Sequence, residues 1–143
     1  MISRTVLIAC LAFERLSAPR VGSAIGRGLQ TGGWEPDICP IVREGRPAAG
    51  LRALLEELDF DARMRRARAL VLSERCLRLP PAAGAVSFEL ASRARQSGVP
   101  AYAVTDENGL DAFDARMLDL QLIIEAASGP ALHAAGRRLA GLI

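Results

Sequence analysis

Short, continuous runs of apolar residues recur along the chain, separated by segments with helical spacing. Continuous apolar runs of this length are typical of strands that are covered on both faces of a sheet. The second run contains a proline, which favours a strand end or a sheet edge. For the last run, an extension of the preceding helix is the alternative. The runs are Thr5–Cys10, Asp37–Val42, Ala69–Leu72, Val99–Val104 and Leu118–Ile124.

Amphipathic spacing fills the segments between the strands. Ser17 with Pro19, and Ser128 with Pro130, are typical helix starts, because serine caps the first turn and proline fits within it. The segment Asp61–Arg68 carries an arginine-rich face that we expect to be solvated. The predicted helices run from Ser17 to Gln30, Leu51 to Leu58, Asp61 to Arg68, Gly84 to Ser97, Leu110 to Met117 and onward from Ser128.

The alternation of strands and helices predicts βαβ units and hence a parallel sheet. Right-handed crossovers place helices on both faces of such a sheet. We therefore expect a three-layer α/β/α sandwich, flavodoxin-like or Rossmann-like, with a mostly parallel sheet of four or five strands. The chain has 143 residues and a mass of 15.2 kDa. That length predicts a single α/β domain over residues 1–143.

Charge and cysteine content narrow the expected partners. All 18 basic residues are arginine and the net charge is +2, so no nucleic-acid footprint stands out. The absence of lysine excludes Schiff-base chemistry. Three cysteines without CxxC spacing are typical of reduced thiols, which predicts a cytoplasmic protein. No apolar run approaches the roughly 18 residues that a membrane span needs, so no membrane partner is expected.

Ligands of parallel α/β sheets bind beyond the carboxyl ends of the strands. Four predicted loops lie there: Leu11–Ser17, Arg43–Ala49, Ser73–Gly84 and Thr105–Gly109. Arginines in these loops are able to bind phosphate or carboxylate through two parallel hydrogen bonds. The alternative is that they are solvated loop residues.

Three segments resemble bacterial glycerate kinases, in the order in which that family carries them. Val6–Leu29 resembles the opening of those enzymes, with matches that include Ala24, Ile25, Gly28 and Leu29. Ala67–Thr105 resembles their later core, with matches that include Leu70, Val71, Glu74 and Gly98, and Leu110–Ala127 resembles the tail of actinobacterial members. The chain lacks the second domain that the family carries as an insert. Leu11 and Glu14 also stand where the family has Asp and Lys.

The resemblance implies ATP-dependent phosphorylation of glycerate or a related small hydroxy acid, with ATP and Mg²⁺ as cofactors if activity is retained. Glu74 follows the third predicted strand directly, a placement suited to a magnesium ligand or a base, and Glu14 is a second catalytic candidate. The expected substrate- or phosphate-binding residues are Ser17, Arg15, Arg43, Arg46, Ser73, Arg75 and Gly84. The alternative is a non-catalytic domain, derived from the kinase fold, that binds a small anion or a protein partner. A homo-dimer is also possible, because loss of a domain uncovers apolar surface.

Overall fold

The protein is described by a computed structural model, which covers residues 3–42, 50–79 and 85–143. Five strands in this part of the chain form one sheet in the order β2-β1-β3-β4-β5, and every neighbouring pair is parallel. The strands are β1 (Thr5–Cys10), β2 (Glu35–Pro40), β3 (Ala69–Leu77), β4 (Ala101–Asn108) and β5 (Leu120–Glu125). This order and the helices on both faces make the fold flavodoxin-like, which confirms the predicted fold class.

The helices divide between the two faces of the sheet, as right-handed crossovers require. They are α1 (Ala18–Gln30), α2 (Leu51–Glu57), α3 (Phe60–Arg66), α4 (Ala85–Gln96), α5 (Ala112–Met117) and α6 (Gly129–Ala140). The core on one face contains residues of α1 and α6, and the core on the other contains residues of α2, α3 and α4. The short helix α5 contributes no buried residue. None of the described helices is long and apolar enough to cross a membrane.

The first turns of α1 and α6 are built as their sequences predict. The Ser17 hydroxyl accepts a hydrogen bond from the backbone N–H of Arg20 at 3.4 Å. The Ser128 hydroxyl accepts one from Ala131 at 3.2 Å. In both helices a proline follows the cap, where its missing N–H costs nothing.

A pair of glycines lets α1 and α6 pack closely. A β-carbon on Gly28 would lie 2.7 Å from the backbone nitrogen of Arg137 and would overlap the carbonyl oxygen of His133. A β-carbon on Gly136 would overlap the carbonyl oxygen of Ile25 in the same way. The two helices therefore touch backbone to backbone at this crossing.

Two strands extend beyond their predicted ends. The sequence predicts that β3 stops at Leu72, but the strand continues to Leu77, and β4 continues to Asn108. The extension is stabilised by further β3–β4 pairing and by burial of Leu77, which is 1% exposed. The hydroxyl of Thr105 also lies 2.7 Å from the carbonyl oxygen of Glu74, to which it donates. The predicted loop that begins at Ser73 is therefore a strand for its first five residues.

Candidate functional site

The carboxyl edge of the sheet holds a cleft of about 450 Å³, between the loop that follows β1 and the end of β2. We call it the carboxyl-edge cleft. Its described walls are mostly aliphatic, and one hydroxyl group, that of Ser17, lies among them. The lining residues are Leu11, Ala12, Ser17, Ala18, Pro19, Ile41 and Val42. A small, mostly apolar concavity at this edge is the usual form of a ligand site in such folds.

Backbone hydrogen bonds to the sheet fix two walls of the cleft. The N–H of Leu11 donates to the carbonyl oxygen of Ser73 at 2.8 Å, and the N–H of Ile41 donates to Cys10 at 2.8 Å. The loop between β1 and α1 is closed by a bond from the Phe13 N–H to the Leu16 carbonyl at 2.9 Å. The cleft is thus preformed by the strand ends.

The N-terminus of α1 supplies the polar groups of the cleft. The N–H groups of Arg20 and Val21 are already bonded to Ser17, and Pro19 has none. The N–H of Ala18 has no acceptor among the described residues, and the Ser17 hydroxyl proton remains available to donate. The first turn of a helix also carries a partial positive charge. Two donors in a positive field suit one small anionic group.

The two central candidates on β3 have different surroundings. Ser73 is fully buried, and its hydroxyl has no hydrogen-bond partner among the described residues. The Glu74 carboxylate accepts hydrogen bonds from the Ser87 hydroxyl at 2.7 Å and from the Ser87 N–H at 3.3 Å. Glu74 therefore binds the first turn of α4. Its proposed role as a base or metal ligand stays a prediction.

The other candidates lie apart from one another or outside the described residues. Glu14 and Arg15 are exposed in the loop between β1 and α1, which also carries Ser17. Arg75 is exposed on β3. The remaining candidates, Arg43, Arg46 and Gly84, lie outside the described residues. The structure thus places Ser17 on the cleft, whereas Glu14 and Arg15 are not among its lining residues.

A polar cluster at the ends of β3 and β4 was not predicted as such. The Arg78 guanidinium pairs with the Glu107 carboxylate at 2.6 Å, and the Cys76 thiol lies 3.5 Å from the same carboxylate. The Asn108 N–H donates to Glu125 at 3.2 Å. Four of these residues lie in loops predicted from the sequence, and Glu125 directly follows the last predicted strand, but the strand pairing that joins them has no local signal.

The other two cysteines belong to the core. Cys10 and Cys39 are fully buried, and they are not joined by a disulfide. Burial raises the pKa of the Cys10 thiol from 9.0 to about 12, and burial also raises the pKa of Cys39. Both thiols therefore stay protonated at neutral pH and are poor nucleophiles.

The described residues contain no group of three or more His, Cys, Asp or Glu side chains that could hold a metal ion.

The comparisons with solved structures give the fold. A diflavin flavoprotein A3 from Nostoc sp. is 16% identical, with 99% of this chain and 94% of that chain covered and a TM-score of 0.52. A response regulator receiver domain from Rhodospirillum rubrum is 15% identical, with coverages of 95% and 90% and a TM-score of 0.50.

These comparisons overturn the resemblance to glycerate kinases. The sequence matches no family model, and no curated protein matches it. The structural neighbours are a flavoprotein and a receiver domain rather than a kinase of that family. The expected assignment to glycerate kinases, with ATP-dependent phosphorylation of glycerate as its function, is therefore wrong. The matched residues, such as Ala24, Ile25 and Gly28, are helix-packing positions, and a shared α/β layout places similar residues there.

Proposed function

We propose that this chain is a binding domain for a compact ligand with an aliphatic body and one anionic group. The observation that carries the proposal is the carboxyl-edge cleft, whose walls are aliphatic and whose volume is about 450 Å³. Leu11 and Ile41 would contact the body of the ligand. The Ser17 hydroxyl and the Ala18 N–H would bind the anionic group, and the exposed Arg15 and Arg20 would attract it.

A flavin is the ligand that the name of the Nostoc neighbour points to, and the cleft does not fit one well. The described residues that line the cleft include no aromatic side chain, so among them the ring of a flavin would meet mostly aliphatic walls. Trp34 precedes β2 and Tyr102 lies at the start of β4, which places both at the opposite edge of the sheet. Two hydrogen-bond donors are also few for a phosphate dianion. A small carboxylate fits the donor set better.

Calorimetric titration with a pair of matched ligands tests the proposal. 3-Methylbutanoate has the proposed aliphatic body and one carboxylate, and 3-methylbutanol has the same body without charge. We expect saturable binding of the carboxylate and weaker binding of the alcohol. Equal affinity for both compounds would contradict the proposal that the N-terminus of α1 binds the carboxylate. Absence of binding by either compound would contradict the proposed function. Titration with flavin mononucleotide in parallel tests the flavin alternative directly.

Two variants locate the binding. Ala12→Trp fills the cleft from an exposed loop position, and Ala112→Trp places the same side chain at an exposed position on α5. Ser17→Asp keeps a good helix cap but puts a negative charge where the ligand's anion would bind, with Ser128→Asp as the matched cap variant on α6. We expect Ala12→Trp and Ser17→Asp to abolish binding while their controls preserve it. Loss of binding in a control would contradict the location.

A further inference from the structure

A second concave surface lies at the amino edge of the sheet, opposite the carboxyl-edge cleft. It has a volume of about 450 Å³ and lies between the end of α3 and the turn that follows α4. Among the described residues, its walls carry three arginines and no carboxylate. The lining residues are Ser3, Arg65, Arg66, Ala67, Arg68 and Ser97–Pro100. We call this surface the arginine groove.

The arginines of the groove differ from two neighbouring arginines, because no described residue forms an ion pair with them. Arg63 is paired with Asp37 at 2.7 Å, and Arg93 is paired with Asp61 at 3.0 Å. Arg65, Arg66 and Arg68 are exposed, and none of them forms an ion pair with a described residue. Arginine at the end of α3 is favoured by the helix dipole, which explains a preference for positive charge there. That preference does not explain why the described residues that line this concave surface include no acid.

The backbone that carries these arginines is held in place. The Ser3 hydroxyl donates to the carbonyl oxygen of Arg66 at 2.7 Å, and the N–H of Arg68 donates to Thr5 at 2.8 Å. The opposite wall is fixed by the turn at Gly98, which has a φ of +70° and donates to Arg95 at 3.2 Å. The backbone on both walls is therefore held by hydrogen bonds, and the arginine side chains are the parts that need to be ordered on binding.

We propose that the arginine groove binds a small anion that carries several phosphate groups, such as an oligophosphate or a phosphorylated metabolite. This site is separate from the carboxyl-edge cleft and goes beyond the function proposed for it. Three guanidinium groups on one small concavity match a ligand with three or more negative charges. Each planar guanidinium is able to bind a phosphate through two parallel hydrogen bonds. The volume of the groove suits a small molecule.

Titration with inorganic tripolyphosphate at low salt tests this site, with unfolding temperature and calorimetry as readouts. We expect saturable binding that weakens as NaCl is raised, because salt screens exposed charges. The variant Arg66→Glu with Arg68→Glu should bind at least about tenfold more weakly, since it reverses two of the three contacts. Arg66→Gln with Arg68→Gln is the milder variant if charge reversal prevents folding.

The matched control is Arg137→Glu with Arg138→Glu. These two arginines are exposed, as Arg66 and Arg68 are, and they lie in the last turn of α6, on the other face of the sheet, as Arg66 lies in the last turn of α3. The proposal predicts a change in affinity of less than about twofold in this control at moderate salt, because its charges lie outside the groove. Equal weakening by both double variants would show a general positive field and would overturn the proposal. So would the absence of saturable binding by the unmodified protein.

Discussion

The crossing of α1 and α6 gives the sharpest prediction about stability. Replacing Gly28 with alanine places a β-carbon against the backbone of α6, 2.7 Å from the Arg137 nitrogen. Overpacking of this kind costs about 1–3 kcal/mol, and the upper part of that range applies because backbone atoms of a packed helix cannot rotate away. Alanine returns up to about 1 kcal/mol through its better helix propensity. We therefore expect a net loss of about 2 kcal/mol in the free energy of unfolding.

For a domain of this size, a loss of about 2 kcal/mol lowers the unfolding temperature by roughly 6 °C. Thermal unfolding followed by circular dichroism, with urea unfolding in parallel, measures both quantities. Gly129→Ala is the matched control, because a β-carbon on Gly129 has no heavy atom within 4 Å. That variant should be neutral or slightly more stable. An unfolding temperature for Gly28→Ala at or above that of the unmodified protein would refute the close helix crossing.

Three further predictions follow from buried or paired groups. Ser73→Ala should raise the free energy of unfolding by about 1 kcal/mol in urea, since the buried hydroxyl has no partner among the described residues; a loss would contradict this. The pKa of Cys10 is raised from 9.0 to about 12 in the folded state, so the thiol ionises in the unfolded chain first. The free energy of unfolding should therefore be unaffected by this group below pH 9 and should fall by up to about 4 kcal/mol between pH 9 and 12. Cys10→Ala should show a smaller fall in the free energy of unfolding over the same pH range. Arg63→Lys should cost about 2 kcal/mol, because lysine cannot keep the two bonds to Asp37 and those to the Leu58 and Ile38 carbonyls; an unchanged urea midpoint would count against it.

Local signals in the sequence predicted much of the fold. Ser17 with Pro19 and Ser128 with Pro130 mark helix starts through contacts within one turn, and the structure has both helices there. The apolar run Thr5–Cys10 is a central strand with the predicted bounds. These features depend on residues that are close in the chain, so their pattern is sufficient to find them.

The pattern of apolar and polar residues does not predict features that depend on residues far apart in the chain. The polar stretch after Leu72 has no strand signal of its own, and it is extended because β4 pairs with it and Thr105 donates to its carbonyl groups. The predicted loop Leu11–Ser17 lies at the cleft, but the site residues expected in it are polar, whereas the walls of the cleft are mostly aliphatic. Leu11 stands where the glycerate kinase pattern has Asp, and the structure makes it a wall of the cleft.

The resemblance to glycerate kinases failed for a related reason. Its matches were mostly alanine, glycine and aliphatic residues, such as Ala24, Gly28 and Leu29, which pack α1 against its neighbours. Any domain with the same order of strands and helices needs small or aliphatic residues at such positions. Matches of that kind therefore indicate a fold more strongly than a reaction.

Chemical-shift mapping of ¹⁵N-labelled protein with 3-methylbutanoate tests most directly whether the ligand binds at the carboxyl-edge cleft. We expect the largest shifts on the amides of Leu11, Ala12, Ser17, Ala18 and Ile41, with saturation at one common midpoint. Shifts concentrated at the amino edge, or spread evenly over the surface without saturation, would contradict it.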